Sequence, residues 1–265
     1  MTSGRGNRVR SALVISQVAL SLLLLAGAGL LIKSFYNLRA TSPGFDAAKV
    51  LTADVTVPRV KYPEPDQQIQ FHTRLLSKLA ALPGVQVVGG VNPLPFSGNS
   101  RGSTFAIAGQ PPIPVGNHPG ASHLTVEPKY FQAMSIPILA GREFNEHDTK
   151  DSPKVLIVNE AFARKFLPNE NPIGRQVIID REKPNPPPLE IVGVVGDSRH
   201  DTLRELPEPE FYEAFPQAPE RRVSIVLRTT ASNLSGLDTA FARAVHEMDG
   251  YVFVPKLQPI ATLVP

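Results

Sequence analysis

An α+β protein, in which one transmembrane helix leads into an extracytoplasmic domain, is what this 265-residue sequence predicts. Three observations carry that expectation. Residues 12–32 form an uncharged apolar run, a strand-helix-strand pattern occurs near each end of the remainder, and the middle is rich in proline and short strand-like segments. Composition agrees: 42% hydrophobic and 19% charged residues are ordinary for a folded core, while 27 prolines and no tryptophan point to short elements joined by stiff turns.

The apolar run reads ALVISQVALSLLLLAGAGLLI, with Ser16, Gln17 and Ser21 as its only polar side chains. At the helical rise it spans about 30 Å, the thickness of a bilayer's hydrocarbon core. A cleavable signal peptide is the competing reading, because an Arg-rich flank, an apolar run and Ala26, Gly27 and Ala28 imitate its three regions. The run is too long for that, and Leu30, Leu31 and Ile32 continue it past the small residues, so an uncleaved anchor is expected at 12–32. Arg5, Arg8 and Arg10 precede it, in a basic tail at 1–11, and only Lys33 and Arg39 follow closely. This asymmetry predicts a cytoplasmic N-terminus and a domain on the outer side. Gln17, Ser21, Leu24 and Ala28 share one helical face, a stripe suited to packing against other transmembrane helices.

The net charge of +3 is concentrated in that tail: without its three arginines, 24 basic residues face 24 acidic ones. Such a balance does not supply the cation surplus a nucleic-acid binder needs, so no nucleic-acid partner is expected. The lack of cysteine excludes disulfides, thiolate metal sites and a Cys nucleophile.

Residues 50–57 read as a strand stopped by Pro58. Pro63-Glu64-Pro65-Asp66 then opens a helix on which Ile69, Leu75, Leu76, Leu79 and Leu82 recur until Pro83-Gly84 halts it. A strand over 85–91 completes the unit. The same order returns near the other end: a strand at 223–228, Ser232 or Asn233 as N-cap, a helix carrying Leu234, Leu237, Phe241, Val245 and Met248, and a closing strand at 251–257. Two such units predict one subdomain assembled from both ends, with the middle inserted. Within the middle, Pro-rich connections at 110–119 and 183–188 separate strands at 155–158, 176–180 and 189–195. Asn159 caps a helix at 160–167. A second, strand-dominated subdomain is expected at about 136–205.

No constellation of side chains predicts chemistry. His72, His118, His123, His147, His200 and His246 are scattered and read as isolated surface residues. Glu143, Glu146, Asp148 and Asp151 lack the ligand alternation and central Gly of an EF-hand loop and read as a solvated loop. Gly193-Val194-Val195-Gly196-Asp197 lacks the remaining glycine or Lys-Ser/Thr of a phosphate loop and reads as a tight turn. With no Gly-x-Ser-x-Gly elbow and no ATP-binding motif, no catalytic, cofactor or metal residues are expected.

Several segments together resemble a known family. The stretch from Arg8 to Phe45 with its SPGF, LPGV at 82–85, VEPKYFQAMSIPILAGREF at 126–144, VLIVNEAFARKFLP with NPIG at 155–174, and EIVGVVGD at 190–197 are similar to the second half of the acidobacterial-type duplicated ABC permeases of the FtsX/MacB-like family. The resemblance implies a MacB-like periplasmic core at 46–265, with a Porter-like split β-α-β part at about 46–135 and 206–258 and an inserted Sabre-like part at about 136–205. It further implies half of a permease repeat in the bacterial inner membrane, non-enzymatic itself. The implied partners are FtsX-like transmembrane helices, a separate ABC ATPase whose motion the domain transmits, and a periplasmic adaptor or cargo. The competing reading is a single-pass sensor or ligand-binding ectodomain. It is disfavoured because only about ten residues precede the helix, too few for a cytoplasmic signalling domain.

Overall fold

The computed structural model describes residues 3–40, 42–111, 113–114, 116–180, 186–231 and 234–264, and on the first helix the side chains at 13–30 and 33. The expected cap at Ser232 or Asn233, and the side chains of Arg5, Arg8, Arg10 and Arg39, lie outside what is described. The chain forms two bodies, Met1–Ser42 and Pro43–Pro265.

The first body is one helix, α1 (Ser3–Ala40), so the segment after the apolar run continues it without a break. Its Leu13–Leu30 stretch is long and apolar enough to cross a membrane. The hydroxyls of Ser16 and Ser21 donate to the carbonyls of Leu13 and Gln17, each at 2.8 Å, so both are satisfied within the helix.

The second body is built on an eleven-stranded sheet. Strand β1 (Val50–Thr56), helix α2 (Pro65–Ala80) and strand β2 (Val85–Asn92) follow the expected order. Pro65 starts α2 because a first-turn residue needs no N–H partner, and the Gln67 side chain accepts the Glu64 N–H at 3.2 Å. Next come β3 (Gly102–Ile107), β4 (Gly120–Val126), α3 (Tyr130–Met134), β5 (Ile138–Gly141), β6 (Val155–Asn159), α4 (Glu160–Phe166), β7 (Gln176–Ile179), β8 (Leu189–Val195), β9 (Glu210–Ala214), β10 (Arg222–Thr229), α5 (Leu234–Met248) and β11 (Gln258–Pro259). Strand β10 lies antiparallel between β1 and β2, which splits the first β-α-β unit with a strand from the far end of the chain. Helices α2 and α5 cover this part through Phe71, Leu75, Leu79, Leu237, Phe241 and Val245, all buried against Leu51, Val55 and Ile225.

The strand expected at 251–257 does not form. Asp249 accepts the Tyr251 N–H at 3.0 Å, and the Leu257 N–H goes to Asp238 Oδ1 at 2.8 Å, so side chains take up the backbone groups a ladder would use. The two-residue β11 that follows pairs with the other edge of β1, at Leu51 and Thr52.

Strands β4, β3, β7, β8, β6 and β9 form a closed ring, because β9 returns to pair in parallel with β4. Phe105 fills it, with ring centroids 4.9 Å from Phe162, 5.0 Å from Phe166 and 6.1 Å from Phe211. The ring draws on β3, β4 and β9 and so reaches beyond 136–205, because strand pairing rather than sequence texture decides its membership. Between ring and split unit, the β2 to β4 ladder consists of Val91 with Val126 and Asn92 with Thr125.

Candidate functional site

The segment after α1 is fastened at two places. Phe45 is buried in the core around α3, and Gly44 has φ +88°, a backbone state that suits glycine. A Cβ there would stand 2.1 Å from the Asp197 carbonyl oxygen, so the chain lies directly on the loop after β8, and Arg199 N–H donates to Pro43 O at 2.8 Å. Three residues on, Arg228 of β10 reaches the Asp46 carboxylate and carbonyl, the Ala48 carbonyl and the Ala133 carbonyl at the end of α3, at 2.9–3.2 Å. Residues 43–48 therefore bind both the ring and the split unit.

A second feature is a set of buried acids. Glu210 accepts hydrogen bonds from Tyr212 and Ser198, and His200 Nε2 lies 3.4 Å from its Oε1. Burial pushes Glu210 up to about 8 and His200 down to about 4, so the pair sits as neutral acid and neutral imidazole rather than as ions. Serine, histidine and glutamate meet here, but the Ser198 to His200 distance is 3.4 Å and the adjoining cavity holds about 30 Å³, which leaves no room for an acyl substrate. Glu127, just past β4, is also buried, which pushes its carboxyl up to about 8, and its Oε1 has no hydrogen-bond partner among the described residues.

Glu127 lines a groove of about 830 Å³. One wall is α2, through Ile69, Thr73 and Leu76; another is Lys129 and Gln132 at α3; the floor is Gln86, Val87 and Val88 of β2. Loop 145–151 also lines it, and its Lys150 pairs with Asp66 on α2. That loop is organised by Asp148, which is buried and held by Arg142 through two bonds of 2.7 and 2.8 Å.

Several expectations change accordingly. Asp148 is not solvated, and burial pushes half-buried Glu143 up against the pull of the backbone N–H groups of Phe131, Gln132 and Lys129. His72 is fully buried between Phe71 and Phe215, and burial lowers it to about 4. His118 and His123 are half-buried against Asp180 and Glu213, while His147 and His246 are exposed. Gly193 is not in a tight turn: it lies in β8, where a Cβ would meet the Arg142 carbonyl at 2.2 Å. On α1, Gln17, Ser21, Leu24 and Ala28 are exposed on successive turns, joined by the Ser21 to Gln17 bond. Glu127, Arg228 and Asp46 were not singled out by sequence patterns; the Gly89-Gly90 pair inside a strand was the available signal, since it marks the close approach of Tyr130 and Glu127.

Comparison with known proteins extends the picture. A curated relative, the macrolide export ATP-binding/permease protein MacB of Aggregatibacter actinomycetemcomitans, is 30% identical over 71 residues, 27% of this chain and 10% of that protein's length. Among solved structures, the periplasmic region of MacB from Actinobacillus actinomycetemcomitans matches at TM-score 0.51 and 16% identity, over 80% of this chain and 90% of that one. The extracellular domain of the noncanonic ABC-type transporter YknZ from Gram-positive bacteria matches at TM-score 0.50 and 14% identity, over 78% and 100%. These likenesses establish the fold. The model of the MacB-like periplasmic core domain matches residues 11–233, and with that match over most of its length the chain belongs to the MacB-like periplasmic core domain family of ABC-type permeases.

Proposed function

We propose that this chain passes motion from a cytoplasmic ABC ATPase, through α1, to periplasmic partners or cargo. The reading places α1 in the bacterial inner membrane with its N-terminus in the cytoplasm, its Gln17, Ser21, Leu24 and Ala28 face against FtsX-like helices, and the sheet domain in the periplasm. The observation that carries it is the fastening of 43–48. A displacement of the segment after the helix is applied at once to the loop after β8, through Gly44, and to β10, through Arg228. In this reading β11, β1, β10 and β2 with α2 and α5 act as a Porter-like part, the ring as a Sabre-like part, and the two-pair ladder between β2 and β4 is the place where they flex.

The test is purification of the full chain from its native membrane with whatever it holds. An ABC ATPase should co-purify, and Arg228→Ala should leave it bound while uncoupling its hydrolysis from any change in the periplasmic domain, followed by spin labels on α2 and β7. Recovery of a signalling kinase instead, or ATP-driven label movement unaltered by Arg228→Ala, would refute the reading.

A further inference from the structure

Strand β2 runs past the end of β4. Strand β4 stops at Val126, the Glu127 N–H still donates to Gly90 O at 2.9 Å, and Pro128 then turns the chain away into α3. Backbone groups alternate in direction along a strand, so with Gly90 O facing the β4 side, the N–H and C=O of Val88 face that side too, up to the bulge at Gln86. On the opposite edge β10 pairs with 87–91 and, past a bulge at Gln86, with Val85. On this edge the described strands pair only Val91 and Asn92. The floor of the groove is therefore a strand edge that lacks a neighbour where β4 would have continued. Beside it lies the buried Glu127 carboxyl, with Oε1 unpartnered.

We propose that this groove binds an extended peptide segment, added to β2 in line with β4, with a basic side chain of the peptide meeting Glu127. Val88 supplies a main-chain donor and acceptor, the bulge at Gln86 ends the regular edge, and Ile69 and Leu76 on α2 supply an apolar wall for alternate side chains. The sign of the anchor follows from the charges around the groove. Lys150 is shared by Asp66 and Asp151, Lys129 acts on Glu143, and Glu146 remains as the surplus, while Glu127, neutral on its own, gives up its proton when a cation arrives beside it. The Lys150 to Asp66 bridge across the groove joins two half-exposed side chains, a weak link that yields to an incoming chain. The free edge, 86–88, corresponds to about 10 Å of strand, room for a segment of roughly three residues. This site does not depend on the transmission of motion.

The experiment uses the full chain in detergent and a capped, fluorescein-labelled Thr-Val-Lys-Val-Thr-Val peptide, read by anisotropy. Binding is expected, weakened at least about tenfold when alternate amides of the peptide are N-methylated, because that blocks strand addition without touching the protein. Norleucine in place of the peptide lysine, and Glu127→Gln in the protein, should each weaken binding by a similar factor. No binding at millimolar peptide, equal affinity for the N-methylated peptide, or displacement of the peptide by butylamine at the peptide's own concentration would each overturn the proposal. The last result would mark the groove as a site for amines rather than for peptide strands.

Discussion

Arg228 grips Asp46 twice, its Nη1 donating to the carboxylate and its Nη2 to the carbonyl oxygen, each at 2.9 Å. The Ala48 N–H donates to the other carboxylate oxygen, also at 2.9 Å, and together with Arg228 holds the Asp46 carboxyl below its ordinary range. One guanidinium thus ties the segment after α1 to β10 and, through the Ala133 carbonyl, to α3. Lysine cannot reproduce this fork.

Arg228→Ala is accordingly expected to cost about 1–3 kcal/mol, since it strands the Ala133 carbonyl at the end of α3 along with the lost charge-assisted bonds. Arg228→Lys should recover less than half of the loss. Thermal unfolding followed by circular dichroism measures both, at roughly 2–4 °C per kcal/mol for a domain of this size.

The pH dependence of stability should carry the mark of Glu127. Its folded pKa is raised from 4.5 to about 8 by burial, so its contribution is complete below 4.5 and lost as pH rises through about 8. Glu127→Gln should flatten the fall in melting temperature over that window, though not remove it, because Glu210 is raised in the same way. His72 and His200 act on the acid side: both are lowered from 6.5 to about 4, so their contribution is present above 6.5 and lost as pH falls through about 4. Melting curves across that span that are parallel for parent and variant would count against a buried Glu127.

Asn159 joins three elements. Its Oδ1 accepts the Phe162 N–H at the start of α4 and the Glu210 N–H of β9, both at 2.9 Å, while Nδ2 donates to Glu208 O at 2.7 Å. Asn159→Ala should cost about 2–3 kcal/mol, more than loss of a helix cap alone. Asn159→Asp, which keeps both accepting bonds and loses the donor, should fall between the two; denaturant titration distinguishes them.

Gly44 and Gly98 form a matched pair. Both have positive φ, +88° and +73°, but a Cβ at Gly98 meets nothing within 4 Å, while one at Gly44 meets the Asp197 carbonyl at 2.1 Å. Alanine at Gly98 should cost about 1–2 kcal/mol for its backbone alone. Alanine at Gly44 should cost clearly more and expose 43–48 to protease. Equal losses and equal cleavage rates would mean that the segment is not seated on the β8 loop.

What the residues determined by themselves was everything written in local pattern. An uncharged run produced α1, helical spacing of Leu75, Leu79, Leu237, Phe241 and Val245 produced the two cover helices, and Asn159 before an amphipathic turn produced a cap. Tertiary structure decided what depends on partners distant in sequence. Strand β9 closes a ring with β4, β10 parts β1 from β2, and Asp249 and Asp238 take up the backbone of 251–257 before it can pair. Burial decided the rest: no local pattern singles out Glu127, whose carboxyl is pushed up to about 8 by burial where it packs beside Gly90. Pattern encodes what a segment does with its neighbours along the chain, whereas pairing and desolvation arise only when the chain closes on itself.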